Sequence, residues 1–270
     1  MSSITFEISG QVAFITLNRP DKLNSFTREM ALTLGSRLDE CASLHEVRAV
    51  LITGAGRAFS AGQDLAEIVG PNAGGSAGAV GSAGTIGMDR ILSEQYNPIV
   101  TRIRNLPKPV VAAVNGVAAG AGANLALCCD LVVAARSASF IQAFSKIGLI
   151  PDTGGTWFLP RLVGWQKAMG IAMMGDKIGA TDAEKMGMVY KVYEDGEFVG
   201  ASRSLAAVLA EMPTRALAFT KHAFNYSASN SLEAQLLLED ELQQKAALTR
   251  DHQEGISAFL DKRAPIFTGE

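Results

Sequence analysis

Apolar and polar residues alternate through Ile4–Leu17, and Ser9-Gly10 supplies a turn signal in the middle, so this segment is expected to form two short strands. After the turn-forming Asn18-Arg19-Pro20-Asp21 the period changes. Phe26, Met30, Leu34, Leu38 and Cys41 keep helical spacing, which predicts an amphipathic helix. Ala49–Thr53, ending at Gly54-Ala55-Gly56, is a short continuous apolar run, as are Val110–Val114 and Leu131–Ala135. Runs of that length predict buried strands. Between the first two, Ile91, Gln95, Ile99 and Ile103 mark a helix closed by Pro107 and Pro109. Strands alternating with helical segments predict an α/β core with parallel pairing, because parallel strands need long crossover connections.

The last third changes character. Thr181-Asp182-Ala183-Glu184 has the form of a capping box. Leu205/Val208/Leu209, Leu217/Phe224 and Leu232/Leu236/Leu242 give three helical stripes, and Ile256, Phe259 and Leu260 start a fourth. The expected organisation is an α/β domain over residues 1–200 and an all-helical region over residues 201–270. Residues 70–87 are low-complexity Gly, Ala and Ser, which cannot build a packed core, so a mobile surface loop or lid is expected there. No internal repeat is visible. Val110–Cys129 is uncharged and long enough for a membrane span, but Asn115, Asn124 and the interrupting Gly116, Gly120 and Gly122 predict a buried strand, turn and helix.

With 48% hydrophobic and 19% charged residues among 270, the chain can bury a sizeable core and is not intrinsically disordered. A net charge of −3 leaves no basic footprint, so neither nucleic acid nor an anionic membrane is an expected partner. The opening MSSITFEISG has no basic stretch followed by an apolar one, and the three cysteines (Cys41, Cys128, Cys129) have no metal-ligand spacing. A reducing, cytoplasmic location is expected. His45, His222 and His252 lie in polar or charged surroundings and are expected at the surface, with no metal site.

Three segments could carry chemistry, and each is ambiguous alone. Arg57–Leu65 and Asn115–Asn124 both lead from a strand toward a helix through small residues, leaving N–H groups open to an anion or equally serving tight packing. Ile150–Trp157 places Asp152 before Thr153-Gly154-Gly155, where an Asp is commonly a turn former or a helix cap.

In this order the segments resemble the crotonase, or enoyl-CoA hydratase/isomerase, superfamily. The matching landmarks are Leu17–Pro20 with Leu23-Asn24, Ala58–Leu65, Pro109–Asn124, Cys129–Leu131, Gly148–Thr156 and Glu254–Arg263, spread from about Ile4 to Phe267. The resemblance implies an α/β crotonase fold of stacked ββα units, with residues 1–200 as core and 201–270 as a helical trimerisation region. It also implies a homotrimer or dimer of trimers and an acyl-CoA substrate. No metal or further cofactor is implied, CoA being part of the substrate. By position, the backbone N–H groups of Gln63 and Ala121 form an oxyanion hole, where many relatives have Ala and Gly. Ser60, Ala61, Gly62, Asp64 and Leu65 are then expected along the substrate, Lys22 and Leu23 along the CoA channel, and Phe259 and Lys262 at its adenine and phosphate end.

Hydratases of this family activate water with two glutamates. The corresponding positions here are Asn124 and Phe144, both expected beside the substrate and neither able to exchange a proton. The acid that remains is Asp152. In family isomerases that position shuttles a proton, whereas in the 4-chlorobenzoyl-CoA dehalogenases it is a nucleophile. Phe144 and Trp157 are expected to keep the pocket dry. Tyr96-Asn97-Pro98, Ala143–Asp152, Asn230-Ser231-Leu232 and Arg263–Gly269 are similar to the ring-epoxide isomerase branch of the superfamily. The implied activity is acyl-CoA isomerisation with Asp152 as base. Alternatives are a thioester enzyme using Asp152 as nucleophile and a catalytically silent CoA-ester binding protein. Against the nucleophile, the dehalogenases also use a His, where the helix before Pro107 offers Arg90, Glu94 and Arg102.

Overall fold

The computed structural model describes residues 2–69 and 87–270; the expected Gly/Ala/Ser loop lies, but for Gly87, outside the described residues. β1 (Ile4–Ser9) and β2 (Val12–Leu17) pair antiparallel around Gly10-Gln11, as the alternation predicted. α1 (Arg28–Ser43) starts at Thr27, whose Oγ1 accepts the Met30 N–H, and it buries Met30, Leu34, Leu38 and Cys41 along one stripe.

The chain then makes one move three times. β3 (Ala49–Gly54), β5 (Val110–Val114) and β7 (Leu131–Ala135) join a large sheet, and the short strands after them, β4 (Ala58–Ser60), β6 (Val117–Ala119) and β8 (Ser139–Ile141), join a small one. These are the stacked ββα units that the resemblance implied, repeated in geometry without a repeat in sequence. The large sheet runs β1-β2-β3-β5-β7-β10, where β10 is Lys191–Tyr193, and every pair except β1–β2 is parallel. The small sheet runs β4-β6-β8-β9, where β9 is Lys177–Gly179. Parallel alignment brings the carboxyl ends of β2, β3, β5 and β7 to one edge, which is where open α/β sheets place their ligand-binding loops.

α2 (Leu65–Val69) follows β4. The helix marked by Ile91, Gln95, Ile99 and Ile103 is continuous from α3 (Met88–Ile91) through a π turn at Leu92–Tyr96 into α4 (Asn97–Asn105). Gln95 and Tyr96, on the wider turn, are both buried. α5 (Ala121–Leu127) is buried along its whole length, so the uncharged Val110–Cys129 is a strand, a second short strand and a core helix. Among the described residues no helix is long and apolar enough to cross a membrane. All three cysteines are buried and unpaired, and the three histidines are exposed.

α6 (Gly155–Val163) and α7 (Trp165–Met174) precede α8 (Ala180–Lys185), where the expected capping box does not form. β9 runs up to Gly179 and the Ala180 N–H bonds the Ala138 carbonyl, so the helix begins ahead of Thr181. The Glu184 carboxylate accepts the Val192 N–H at 2.8 Å and ties α8 to β10 instead. Of the later helices, α9 (Phe198–Glu211) lies on β2, β3 and β7 and inserts Phe198, Ala206 and Ala210 into the core. α10 (Thr214–Ser227), α11 (Leu232–Ala247) and α12 (Arg250–Leu260) pack in series, and their stripes leave Phe224, Leu232, Leu237, Phe259 and Leu260 exposed.

A largely buried charge cluster, with Asp130 and Arg104 partly exposed, fastens α10 to the core. Asp130 bonds Lys221 at 2.8 Å and Arg104 at 3.1 Å, and Lys221 is buried. Removing one partner of such a cluster strands its opposite charges in a medium that solvates them poorly. Asp130→Ala should therefore lower the unfolding free energy by about 3 kcal/mol in urea titrations, and a loss below about 1 kcal/mol would show that the cations find other partners.

Candidate active site

Two backbone turns meet at the carboxyl edge of the strands. The first leaves β4 at Ser60 and passes through Ala61, Gly62 and Gln63. Its groups are satisfied one by one: the Ala61 N–H donates to the Leu23 carbonyl, the Gly62 N–H to Ser60 Oγ, the Phe26 N–H to the Gly62 carbonyl and the Asp64 N–H to the Phe26 carbonyl. Asn24, wholly buried, accepts from the Arg19 N–H and donates to the Ala55 and Ala58 carbonyls. Ser60 Oγ donates to the Asn24 carbonyl, and Asp64 pairs with Arg19 at 2.9 Å, which holds its carboxyl below the usual range despite the opposing effect of burial. Among the described residues, the Gln63 N–H alone in this turn reaches no protein acceptor.

The second turn leaves β6 at Ala119. The Gly120 N–H donates to the Ile141 carbonyl, while the Ala121 N–H, first in α5, also reaches no acceptor among the described residues. Gly62 is what lets the turns touch. Its φ is +90°, and a Cβ there would lie 2.9 Å from the Ala119 carbonyl oxygen and 3.3 Å from the Ala121 nitrogen. Two unspent N–H groups from adjacent turns can together hold a developing oxyanion.

The Gln63 side chain is held too. Its Oε1 accepts the Tyr96 hydroxyl at 2.9 Å, and its Nε2 reaches Glu67 at 3.3 Å. Tyr96 is fully buried, and its phenol is pushed well up by burial and then by the charges of Asp152 and Glu67. Asp152 is half-buried on the turn before α6. Burial pushes its carboxyl up, opposed by the Thr153 hydroxyl, which donates to Oδ1 at 2.8 Å. The ring of Phe144 is buried against the second turn, its tip 3.8 Å from where a Gly120 Cβ would stand.

The structure thus gathers Ser60, Ala61, Gly62, Gln63, Ala121, Phe144 and Asp152, with Leu23 at the first turn and Lys22 exposed beside it. Other residues depart from expectation. Asn124 does not face the substrate: it is fully buried, with both ends of its amide bonded to protein. Asp64 is spent on Arg19, and Leu65 is exposed at the start of α2. Trp157 does not dry the pocket, because it points outward from α6 with the Arg161 guanidinium 3.5 Å over its ring. Phe259 shares a 420 Å³ groove with Pro213 and Phe267, and the Phe267 carbonyl is bonded by Arg48 at the start of β3. Phe259 and Lys262 of one protomer therefore sit at the opposite end of the sheet from Lys22 and Leu23. Tyr96 and Asn24 were visible only as landmarks, since nothing in their local pattern shows that a remote turn will need them. No group of His, Cys, Asp or Glu among the described residues could hold a metal.

The family model described as enoyl-CoA hydratase/isomerase matches residues 7–270. The chain belongs to that family. Over full length on both sides it is 46% identical to the 1,2-epoxyphenylacetyl-CoA isomerase of Escherichia coli (strain K12). It is also 46% identical to a probable enoyl-CoA hydratase of Rhodobacter capsulatus, over 99% of this chain and 98% of the relative. The crystal structure of a putative enoyl-CoA hydratase/isomerase from Mycobacterium abscessus superposes with a TM-score of 0.90 at 35% identity, covering 99% of this chain and 100% of that one. The chain has the crotonase fold, and its family, of hydratases and isomerases alike, acts on acyl-CoA thioesters.

Because the hole depends on backbone contact at Gly62, Gly62→Ala should lower kcat on a CoA thioester at least about tenfold, equivalent to about 1.4 kcal/mol of barrier, and should also lower the melting temperature. Unchanged steady-state kinetics would show that the turns need not touch.

Proposed function

We propose that the protein isomerises acyl-CoA thioesters through an enolate, with 1,2-epoxyphenylacetyl-CoA to oxepin-CoA, 3-enoyl-CoA to 2-enoyl-CoA, or both as its reactions. The observation that carries this reading is a half-buried carboxylate, Asp152, whose turn is bonded by Asn124 to α5, the helix that begins at the unspent Ala121 N–H, with an amide, Asn124, and a ring, Phe144, where the family resemblance places the two glutamates of the hydratases. Two relatives at equal identity carry one isomerase and one hydratase name, so similarity alone does not choose between them. The supply of acids favours the isomerase.

Asp152 as carboxylate removes a proton from the carbon beside the thioester carbonyl. Charge then develops on the carbonyl oxygen, where the N–H groups of Gln63 and Ala121 stabilise it, each such donor being worth about 2.7–4 kcal/mol. The conjugate acid of Asp152 and the enolate collapse to a product of unchanged composition: the proton returns further along the acyl chain, or, in the epoxide, the enolate electrons break an epoxide C–O bond, the ring rearranges and the proton returns to the rearranged product. Burial makes Asp152 a stronger base than a solvated carboxylate. The step needs no cofactor beyond the CoA of the substrate. The exposed stripes on α10–α12 suit a homotrimer or dimer of trimers, in which Phe259 and Lys262 would reach the CoA of a neighbouring copy. A cytoplasmic role in phenylacetate catabolism belongs to the same reading, for which the name of the Escherichia coli relative supports the substrate alone.

Asp152→Asn keeps the shape and removes the base, so isomerisation should fall at least about 10²-fold with CoA-ester affinity little changed. Substantial residual activity would move the base elsewhere. Since folding raises the Asp152 pKa, its ionised form opposes folding at neutral pH. The Asn variant should therefore melt at or above the wild-type temperature near pH 7, an advantage that disappears below the unfolded-state carboxyl pKa. A clearly lower melting temperature would contradict the burial argument.

The same raised pKa gives the wild-type rate an acid limb. As pH falls, kcat should decline through a midpoint above the ordinary aspartate value of 3.8. A midpoint at or below that value, read from a pH–rate profile, would exclude a desolvated Asp152 as the base.

A further inference from the structure

The turn that carries Asp152 is under backbone strain. Thr153 is β-branched yet has φ of +52°, followed by Gly154 at +78°. A branched residue holds the left-handed region only where its surroundings over-determine it. Two hydrogen bonds converge on the Asp152 carbonyl and do so here. The Gly155 N–H closes the turn at 2.7 Å, and Asn124 Nδ2 donates from α5 at 2.8 Å. Asn124 Oδ1 in turn accepts Gln142 Nε2 at 2.7 Å. Asn124 has no exposed surface and Gln142 almost none. Gly155 makes room for the amide, since a Cβ at that position would fall 2.2 Å from Asn124 Nδ2.

The direction of this chain is forced from one end. A backbone carbonyl only accepts, so Asn124 must turn its NH2 toward Asp152. Its oxygen then faces Gln142, which must present its own NH2. Among the described residues Gln142 Oε1 is left buried without a partner, a state that generally costs about 1–3 kcal/mol. An apolar side chain would fill that space without the cost, so the pair's value lies in what it orients. A carboxylate at position 124 would set oxygen against the Asp152 carbonyl oxygen.

We propose that Asn124, oriented by Gln142, is the positioning residue that aims the Asp152 carboxylate, acting through the Asp152 backbone carbonyl. The role rests on the reading of Asp152 as the base. Asn124 itself touches no reacting atom. The Thr153 hydroxyl donates to the Asp152 carboxylate, and the Tyr96 phenol and Asp152 feel each other's charge; neither duplicates the Asn124 bond.

The test compares wild type with Asn124→Ala, which removes the donor, and Gln142→Met, which keeps nearly the same volume and removes only the upstream donor. Asn124→Ala should lower kcat by about 10²-fold, the usual consequence of misplacing a reacting group by about 1 Å, with KM within about threefold. Gln142→Met should lower kcat about tenfold in the same pattern. In an Asp152→Asn background, adding either substitution should cause no further loss of activity or of CoA-ester affinity, as required of residues that act only through Asp152. Unchanged kcat in Gln142→Met, or an additional loss in the Asp152→Asn background, would overturn the proposal.

A readout independent of turnover is the titration of Asp152 followed by carbon-13 NMR of the full protein labelled at aspartate carboxyls. Asn124→Ala should move that titration down toward the ordinary value as the turn relaxes into water, and an unmoved titration would also overturn the proposal. If wild type isomerises none of the esters tried, the functional reading fails, while this titration still decides the positioning role.

Discussion

Gly62 meets Ala119 and Ala121 backbone to backbone, and the candidate site depends on that contact more than on any side chain. It requires small residues in both turns and firm anchoring on both sides. The first turn is anchored through Asn24, Ser60, Phe26 and the Arg19–Asp64 pair, and the second through Gly120 and the buried α5. With the neighbouring groups satisfied, the Gln63 and Ala121 N–H groups are left without an acceptor among the described residues. Unsatisfied donors are normally a liability. Here they are the feature through which the scaffold can act on an oxyanion.

The same economy appears in the acid. Asp152 is half-buried on a turn that includes a strained threonine. Both features work against folding, and under the proposed mechanism they make the carboxylate a better base and a better-aimed one. Sites commonly trade stability for chemistry in this way. The remainder of the molecule can sustain the trade because its core runs continuously from β1 to α9.

Much of this was legible in the sequence, and physics separates what was from what was not. Long periodic segments such as α1, and buried apolar runs such as β3, β5 and β7, report their state because many residues vote together. β4, β6 and β8 have three residues each and cannot show a period, so the second sheet came only from the family resemblance. The capping box at Thr181 failed because a strand end and a tertiary bond from Ala180 moved the helix start. Asn124 was legible as the replacement of an acid, yet its partners, Gln142 and the Asp152 carbonyl, are tertiary neighbours that no local pattern announces. Trp157 and Phe259 show the converse. An apolar residue near a motif in sequence need not face it in space.

The central claim, that one carboxylate and two backbone donors rearrange a thioester without adding anything to it, is tested most directly by product mass. The wild-type protein should be incubated with 1,2-epoxyphenylacetyl-CoA and with a 3-enoyl-CoA, and the products followed by mass and ultraviolet spectrum. The account predicts a product of unchanged mass and altered spectrum from at least one of them. A product heavier by one water, formed at comparable rate, would contradict it.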